Sequence, residues 1–582
     1  MNIIADDEKG PKWITNELYG RKEELQIVNN IAEEKTSSVV LLEGGEGIGK
    51  TALIQQGEWQ QNDWVFVASK FEKSLMAEPY SAMKGALDRL VTVWAENNKA
   101  AEVCQMRSFL NVLKNDMDLL INVIPGIFRI VEKFAHGVHF SKGRSIRDIA
   151  RSGHRYAEEK VGGDSGAVAA AFLRLFSFLS SAKPIVLFLA DVHFADVSSM
   201  EILEVIAETA ATNPIKYSSH LLLAMSYRKE LLEKNKFASR TIENTENIGD
   251  NVHSLHLRDL DVDTMNEMVA SLVNADPEET LPVSTVIHKK TAGNPYAVSQ
   301  FLRIAREKSF FTFSSLTYKW EWGDPNLLDQ YASVSDNVAE VLATSMDKLC
   351  MSTKVTLKVS SCLGKIIPTH VLVEYFKEFY EDGKGHTICE AVIGIQEQGL
   401  DPLLDGACKA GILVKSISQG AYMWSNDRLQ QAAYDMIPAQ MRSKLHKKLG
   451  MLLWRLGLQD DEEWMIFMAA NQMNKYAELC CDASLGNEVA ELNLQAGKLS
   501  LKKGAIYPAL DLLVNAEKHM VIEGRWGDAY DLTLDVLTTL AETQCKLGET
   551  EAAIETARLV VEDGKTLNDK FRSYIVRLEG QL

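Results

Sequence analysis

Four glycines, a lysine and a threonine fall within the eight residues 44–51, GGEGIGKT. An apolar stretch, Val39 to Leu42, precedes this segment, and a run of residues compatible with a helix begins at Thr51. Glycines let backbone N–H groups turn toward an anion with no side chain in the way, and the start of a helix adds the positive end of its dipole. The order strand, glycine loop, helix therefore predicts a phosphate-binding loop within an α/β domain.

Two residues of this loop have separate predicted roles in nucleotide binding. Lys50 is expected to reach the outer phosphates, and the hydroxyl of Thr51 is expected to hold Mg²⁺. ATP or ADP with Mg²⁺ is therefore the predicted cofactor. The loop residues predicted to bind the nucleotide are Gly44, Gly45, Glu46, Gly47, Ile48, Gly49, Lys50 and Thr51.

A phosphate loop also needs an acid at the end of a second strand, where it binds Mg²⁺ or activates water. The apolar run at 185–190 leads into Asp191, which is predicted to be catalytic and, with Thr51, a metal ligand. Arg228 follows the strand predicted at 221–225. Because the carboxyl ends of parallel strands meet at one edge of a sheet, Arg228 is a second candidate catalytic residue, with an ordinary surface salt bridge as the alternative.

Composition narrows the classes of partner. The chain has 582 residues, enough for about three to five domains. A net charge of −18 argues against broad binding to nucleic acids or to anionic membranes, because both favour basic faces. The apolar runs are too short to span a bilayer, and the eight cysteines show no metal-ligand spacing. Reduced thiols in a cytoplasmic protein are the simplest interpretation.

The alternation of short apolar runs with helical stretches predicts a mostly parallel sheet with helices on both faces. The predicted strands are 39–42, 64–68, 185–189, 221–225 and 252–257. The rest of the chain reads as helical, with one aromatic-rich hairpin at 310–322 and two short strands at 411–414 and 421–424. The predicted divisions are an N-terminal tail (1–15), a P-loop ATPase domain (16–257), a helical lid and hairpin (258–330), a winged-helix-like domain (331–435) and tetratricopeptide-like helical repeats (436–582).

Three local patterns add detail. Thr264 to Glu267 reads as a capping box that opens a helix. Helix pairs are predicted within 496–517 and 538–562, with the small residues and glycine typical of stacked repeats. The basic, glycine-flanked segment 137–163 reads as a solvated insertion, with a local contact site as the alternative.

Several motifs, in order along the chain, resemble the origin-recognition-complex-like branch of the AAA ATPases, close to the STAND signalling NTPases. They read LYGRKEELQIV, LLEGGEGIGKTAL, PIVLFLADVHFAD, LLLAMSYRKE and TAGNPYAVSQFL. The later segment WSNDRLQQAAYDMIP resembles the part that follows this ATPase in large signalling proteins, where a kinase is often fused. The resemblance covers nearly the whole chain.

The resemblance implies roles for particular residues. Tyr19, Gly20 and Arg21 would lie beside the nucleotide base, Arg228 would be the sensor after the fourth strand, and Pro295 would pack near the base from the lid. Two departures from the family pattern stand out. Ala190-Asp191 replaces two adjacent acids, which places hydrolysis in doubt, and Asn426-Asp427 replaces a His-Asp pair to which no role is assigned.

These observations favour an ATP-binding switch or scaffold of the STAND type with weak hydrolysis, which couples nucleotide state to protein partners through the C-terminal helices. A kinase is a candidate partner, and assembly into an oligomer on ATP binding is a further expectation. The alternatives are an active ATPase that regulates a kinase, a non-hydrolysing structural scaffold, and a replication-type DNA loader.

Overall fold

The structure is a computed structural model of the chain. It describes residues 5–6, 10–11, 18–72, 78–96, 120, 123, 165–212, 220–314, 319–328, 346, 349–381, 395, 399–415, 422–460, 462–480, 485–521 and 524–580. The basic segment predicted at 137–163 lies outside these residues.

A five-stranded sheet forms the centre of the first domain, and every neighbouring pair of strands in it is parallel. Two residue pairs near the amino terminus form a short antiparallel ladder, β1 (Ala5–Asp6) and β2 (Gly10–Pro11). The strands of the large sheet are β3 (Ser38–Glu43), β4 (Val65–Lys70), β5 (Ile185–Ala190), β6 (Leu221–Tyr227) and β7 (Val252–His256). Their spatial order is β4-β5-β6-β3-β7. All five strands predicted for this domain are therefore confirmed.

Helices cover both faces of this sheet. Along β3, Val39 and Leu41 join one apolar cluster while Val40 and Leu42 join another, as expected when successive side chains point to opposite faces. The helices of this part are α1 (Lys22–Glu34), α2 (Lys50–Gln55), α3 (Ser81–Glu96), α4 (Ser165–Ala182), α5 (Val197–Thr212), α6 (Lys229–Leu232) and α7 (Lys236–Glu246). The predicted α/β class is confirmed.

Three helices and a hairpin follow the sheet. They are α8 (Val262–Val273), α9 (Pro277–Thr291), α10 (Pro295–Glu307), β8 (Phe311–Ser314), β9 (Lys319–Trp322) and the short α11 (Pro325–Leu328). The hairpin is antiparallel, as predicted. The capping box at Thr264 is wrong: α8 begins one residue after Asp261, whose carboxylate accepts a hydrogen bond of 2.7 Å from the Thr264 backbone N–H.

The next part contains a small antiparallel sheet among helices. Its elements are α12 (Met351–Leu363), β10 (Ile366–Ile367), α13 (Thr369–Glu381), α14 (Leu400–Lys409), β11 (Leu413–Lys415), β12 (Tyr422–Trp424) and α15 (Asp427–Asp435). The strand order is β10-β12-β11. The two predicted strands are β11 and β12, whereas the two-residue β10 was missed because it is too short to show a period. The winged-helix assignment stays a prediction.

The carboxyl-terminal part is a succession of helices, each packed on the one before it from α17 onward. They are α16 (Ala439–Asp460), α17 (Glu463–Leu479), α18 (Gly486–Lys502), α19 (Ile506–His519), α20 (Tyr530–Lys546), α21 (Thr550–Asp563) and α22 (Leu567–Glu579). Both predicted helix pairs are present, as α18–α19 and α20–α21. Their assignment to tetratricopeptide-like repeats stays a prediction.

The parts of the chain are packed together. One continuous apolar core runs from α8, α9 and α10, the helices predicted as a lid and called the lid below, through the small sheet into α16, α17 and α18. The C-terminal helices also return to the first domain, where the rings of Phe237 and Tyr507 lie 5.4 Å apart. Among the described residues, no helix is long and apolar enough to cross a membrane. Cys350, Cys362, Cys408, Cys480 and Cys545 are free.

Candidate functional site

The loop between β3 and α2 encloses open space. Gly47 and Gly49 have φ angles of 75° and 99°, a left-handed conformation that glycine adopts without strain. A Cβ atom built on Gly45 or Gly49 would meet no described atom within 4 Å. Because these two glycines carry no side chain and face open space, the loop has room for the phosphates of a nucleotide.

Lys50 lies inside the loop rather than in solvent. Its side chain is buried, and Nζ donates hydrogen bonds of 2.7 Å to the carbonyl oxygens of Gly44 and Gly45. Burial lowers the pKa of Lys50 to about 8, although the nearby Asp191 acts in the opposite direction. The negative charge around the ammonium is therefore too small to offset its burial, and the negative charge of a bound phosphate would stabilise it.

This lowered pKa predicts a pH dependence of ATP binding. A bound phosphate stabilises the charged ammonium, so binding draws on the protonated fraction and weakens as pH rises through the pKa of the free site. With a pKa near 8, that fraction falls from about 0.76 at pH 7.5 to about 0.24 at pH 8.5, so the affinity should fall about threefold. Calorimetry in two buffers of different ionisation enthalpy should also show proton uptake at pH 8.5. A constant affinity without proton uptake would contradict this prediction.

Asp191 follows β5 directly and is buried at the carboxyl end of that strand, beside the loop. Its Oδ2 lies 2.8 Å from Nζ of Lys70 and 3.9 Å from Nη2 of Arg228. Burial alone would raise the pKa of Asp191, but these two cations outweigh burial and hold the pKa below its ordinary value. Asp191 is therefore a carboxylate, as its predicted role requires.

Arg228 lies at the end of β6, at the same edge of the sheet. Its Nη1 is 3.0 Å from Oε2 of Glu46 in the loop. The backbone N–H of Arg228 donates to Nδ1 of His193 over 3.3 Å, and burial lowers the pKa of His193 to about 4, so that ring is neutral. The prediction that Arg228 and Asp191 lie close together beside the loop agrees with this geometry.

A residue from a distant part of the chain enters the same site. In Asp427, at the first turn of α15, Oδ2 lies 2.9 Å from Nζ of Lys70 and 3.3 Å from Nη2 of Arg228. A third cation is close to the same carboxylate, with Nζ of Lys365 3.7 Å from Oδ1. The carboxylate of Asp427 therefore pairs with cations that border the predicted phosphate site.

The neighbours of Asp427 fix its position. The side chain of Asn426 caps α15 by accepting a 2.7 Å hydrogen bond from the backbone N–H of Arg428. The Arg428 side chain in turn reaches Glu46 of the loop, with Nε 3.2 Å from Oε2. Neither Lys70 nor Asp427 was predicted from the sequence as a site residue. The departure Asn426-Asp427 was the one visible signal.

The lid helix α10 contacts the loop through its first residues. The side-chain amide of Asn294 donates to the Glu46 carbonyl oxygen over 2.9 Å, and the Tyr296 backbone N–H donates to the Gly47 carbonyl oxygen over 3.2 Å. A Cβ atom on Gly47 would lie 2.7 Å from Cβ of Tyr296, so only glycine permits this approach. Pro295 stands between these two residues at the start of the helix. Its contact with a nucleotide base stays a prediction.

The residues predicted to border the base lie where the loop meets the lid helices. Arg21 is buried, and its Nη2 donates to the carbonyl oxygens of Arg258 at 2.5 Å and Ile48 at 3.4 Å, which ties the loop to the start of the lid. Gly20 has a φ of 65°, and a Cβ atom there would lie 2.8 Å from the Thr264 side chain. Tyr19 packs against the apolar core of the lid. These contacts assign Arg21 a structural role beside its predicted one.

Magnesium suits part of this site. Thr51 is exposed at the start of α2 and offers a hydroxyl oxygen, and Asp191 offers a carboxylate. Mg²⁺ commonly binds one or two carboxylates together with the phosphates of its nucleotide, so these two residues could hold it. Ala190 adds no second carboxylate, however, and Oδ2 of Asp191 is already paired with Lys70.

Comparison with known protein families identifies the domain that contains the phosphate loop. A family model for the AAA ATPase domain matches residues 17–222. This segment includes the loop, Asp191 and the strands up to the start of β6. The AAA ATPase domain inferred from the motifs is confirmed.

Two curated proteins are similar along most of the chain. The hybrid signal transduction histidine kinase G of Dictyostelium discoideum is 22% identical over 99% of this chain and 19% of its own length. The peroxide stress-activated histidine kinase mak3 of Schizosaccharomyces pombe is 21% identical over 83% of this chain and 20% of its own length. The chain therefore spans about a fifth of the length of these relatives.

The solved structures that align with this chain share little sequence with it. A STAND protein with a tetratricopeptide repeat sensor from Pyrococcus horikoshii is 14% identical, with a TM-score of 0.39, over 97% of this chain and 67% of its own. The ORC2 protein of Aeropyrum pernix, in ADPNP–ADP complexes, is 13% identical, with a TM-score of 0.31, over 74% of this chain and 96% of its own.

Proposed function

We propose that the chain is an ATP-binding signalling switch of the STAND type. In it, the nucleotide at residues 44–51 controls how the ATPase domain holds the part of the chain that contains α15. The two curated relatives are histidine kinases, which supports a role in signalling. Protein partners would bind the C-terminal helices, and a kinase is the first candidate among them.

The observation that carries this proposal is the position of Asp427. Its carboxylate pairs with Arg228 and Lys70 at the carboxyl ends of the parallel strands. Asp427 and Arg228 are 199 residues apart along the chain. Arg228, predicted to be the sensor at the end of the fourth strand, would contact the outer phosphate of ATP. A phosphate and the Asp427 carboxylate are both anions, so they compete for the same guanidinium. ATP would therefore loosen the hold on α15, whereas ADP, which lacks the outer phosphate, would leave it in place.

Substitution of Asp427 by asparagine tests this competition. The change removes the charge and keeps the shape, so the affinity for ATP should rise about threefold while the affinity for ADP stays the same. Hydrogen exchange of residues 422–437 should increase when ATP replaces ADP in the parent chain. In Asp427→Asn, exchange should be high with either nucleotide.

Asp435→Asn in the same helix is the matched control, because Asp435 is exposed and its carboxylate contacts near neighbours in the chain, Gln431 at 3.0 Å and Arg442 at 3.6 Å. This control should leave nucleotide preference and exchange unchanged. If the parent shows the same exchange with ATP and ADP, the nucleotide is a structural component. The alternative of a non-hydrolysing scaffold should then replace the switch.

A further inference from the structure

Lys70 stands at the end of β4, beside the position where the expected metal-binding acid is missing. Lys70 and Ala190 are partners in register between the parallel strands β4 and β5. The family pattern has an acid at the position of Ala190. A fixed cation therefore occupies the strand end next to a position that lacks a carboxylate.

The contacts of Lys70 hold its ammonium toward the site. Nζ lies 2.8 Å from Oδ2 of Asp191, and 2.9 Å and 3.2 Å from the two carboxylate oxygens of Asp427. The side chain is 25% exposed. Two carboxylates within ion-pair distance therefore hold the ammonium in this position.

An ammonium has three N–H donors, and Lys70 uses them on two partners of different kinds. Asp191 belongs to the sheet domain and stays in place, whereas Asp427 belongs to the part that the proposed switch releases. When Asp427 leaves, a donor of Lys70 becomes available beside the loop. The nearest new anion would be the outermost phosphate of the nucleotide.

We infer that Lys70 is a phosphate-binding residue: its ammonium donates to the outermost phosphate of bound ATP while it stays paired with Asp191, and it supports ATP binding without a divalent cation. This inference rests on the proposed function, because it requires ATP at the loop and Asp427 displaced from Lys70. It assigns to a protein cation part of the charge neutralisation that Mg²⁺ usually supplies at phosphate sites.

The test compares the dissociation constant of ATP in excess Mg²⁺ with that in EDTA. In Lys70→Met, the affinity in EDTA should fall about fivefold, because a charge-assisted hydrogen bond is lost. In Mg²⁺ the fall should be less than twofold, since the metal can then bind the phosphate and the freed Asp191. ADP should bind Lys70→Met as it binds the parent in either condition. The ratio of the two ATP constants is therefore the quantity to measure.

Lys84→Met is the matched control, because Lys84 is 29% exposed, close to the exposure of Lys70, and its Nζ pairs with a different carboxylate, Oε1 of Glu78, over 3.6 Å. Its ratio should equal that of the parent. Lys70→Arg keeps a cation and should keep affinity in EDTA. If Lys70→Met is unstable, the double variant Lys70→Met/Asp427→Asn removes both members of the ion pair and should show the same ratio.

An unchanged ratio in Lys70→Met, or an equal loss for ADP, would overturn the inference. Neither result would affect the proposed function, provided that the parent binds ATP and Lys50→Ala does not. Failure of the parent to bind ATP under any condition would instead overturn the proposed function.

Discussion

Replacement of Lys50 by alanine is expected to abolish the thermal stabilisation that ATP gives the chain. At millimolar ATP and a dissociation constant of tens of micromolar, mass action would stabilise the folded parent by roughly 2–3 kcal/mol. For a domain of this size, that is an increase of about 5–10 °C in melting temperature. Lys50 supplies a charge-assisted contact worth about 2–3 kcal/mol, so its loss should weaken binding about a hundredfold and remove the shift.

The control for this prediction is Lys183→Ala, which removes a lysine from an exposed pair with Asp63, 3.0 Å away. It should melt with the same ATP-dependent increase as the parent. The experiment needs protein shown to be free of nucleotide beforehand, since retained nucleotide would mask the shift. An increase in Lys50→Ala as large as in the parent would mean that the nucleotide binds elsewhere than at residues 44–51.

The sheet and its phosphate loop could be predicted because their signals are local. A buried parallel strand reads as a short apolar run, and the strand–glycine loop–helix order is contiguous in the chain. The same reasoning placed Asp191 and Arg228 together, because the ends of parallel strands meet at one edge. Their proximity to the loop therefore follows from topology without any knowledge of side-chain packing.

The contacts of Asp427 and Lys70 could not be predicted in the same way. Their carboxylate and ammonium are 357 residues apart along the chain. They meet only because the continuous core from lid to α18 orients α15 toward the sheet. No local pattern encodes that orientation. The lysine at the end of β4 belongs to no motif singled out in the sequence, and the aspartate at the start of α15 stood out only as part of the Asn426-Asp427 departure from the family pattern.

The lid shows a third kind of limit. The motif around Pro295 was assigned to the right helix start, but the hydrogen bonds to the loop come from Asn294 and Tyr296. Proline has no backbone N–H to donate, so its neighbours must supply these contacts. The capping-box error at Thr264 is similar, because Asp261 caps α8 one turn earlier. Two suitable caps close together in sequence cannot be ranked without the structure.

Substitution of Ala190 by aspartate is expected to raise ATP turnover at least tenfold, or about 1.4 kcal/mol of barrier. Ala190 ends β5 directly before Asp191, and its Cα is paired in register with that of Lys70. An aspartate there would add the second carboxylate that phosphoryl transfer with Mg²⁺ usually uses. It would also give the Lys70 ammonium another partner, which would leave Oδ2 of Asp191 available to a metal ion or to water.

Ala190→Asn is the matched control, because asparagine has nearly the same shape as aspartate and carries no charge. Phosphate release should rise for the aspartate variant and not for the asparagine variant. Ala190 is 8% exposed, so an unpaired carboxylate there would be costly, and Lys70 is the cation able to offset that cost. Combination of Ala190→Asp with Lys70→Met should therefore lower stability more than either change alone. If the parent already hydrolyses ATP at a rate typical of AAA enzymes, Asp191 serves both metal and water, and the active-ATPase alternative is correct.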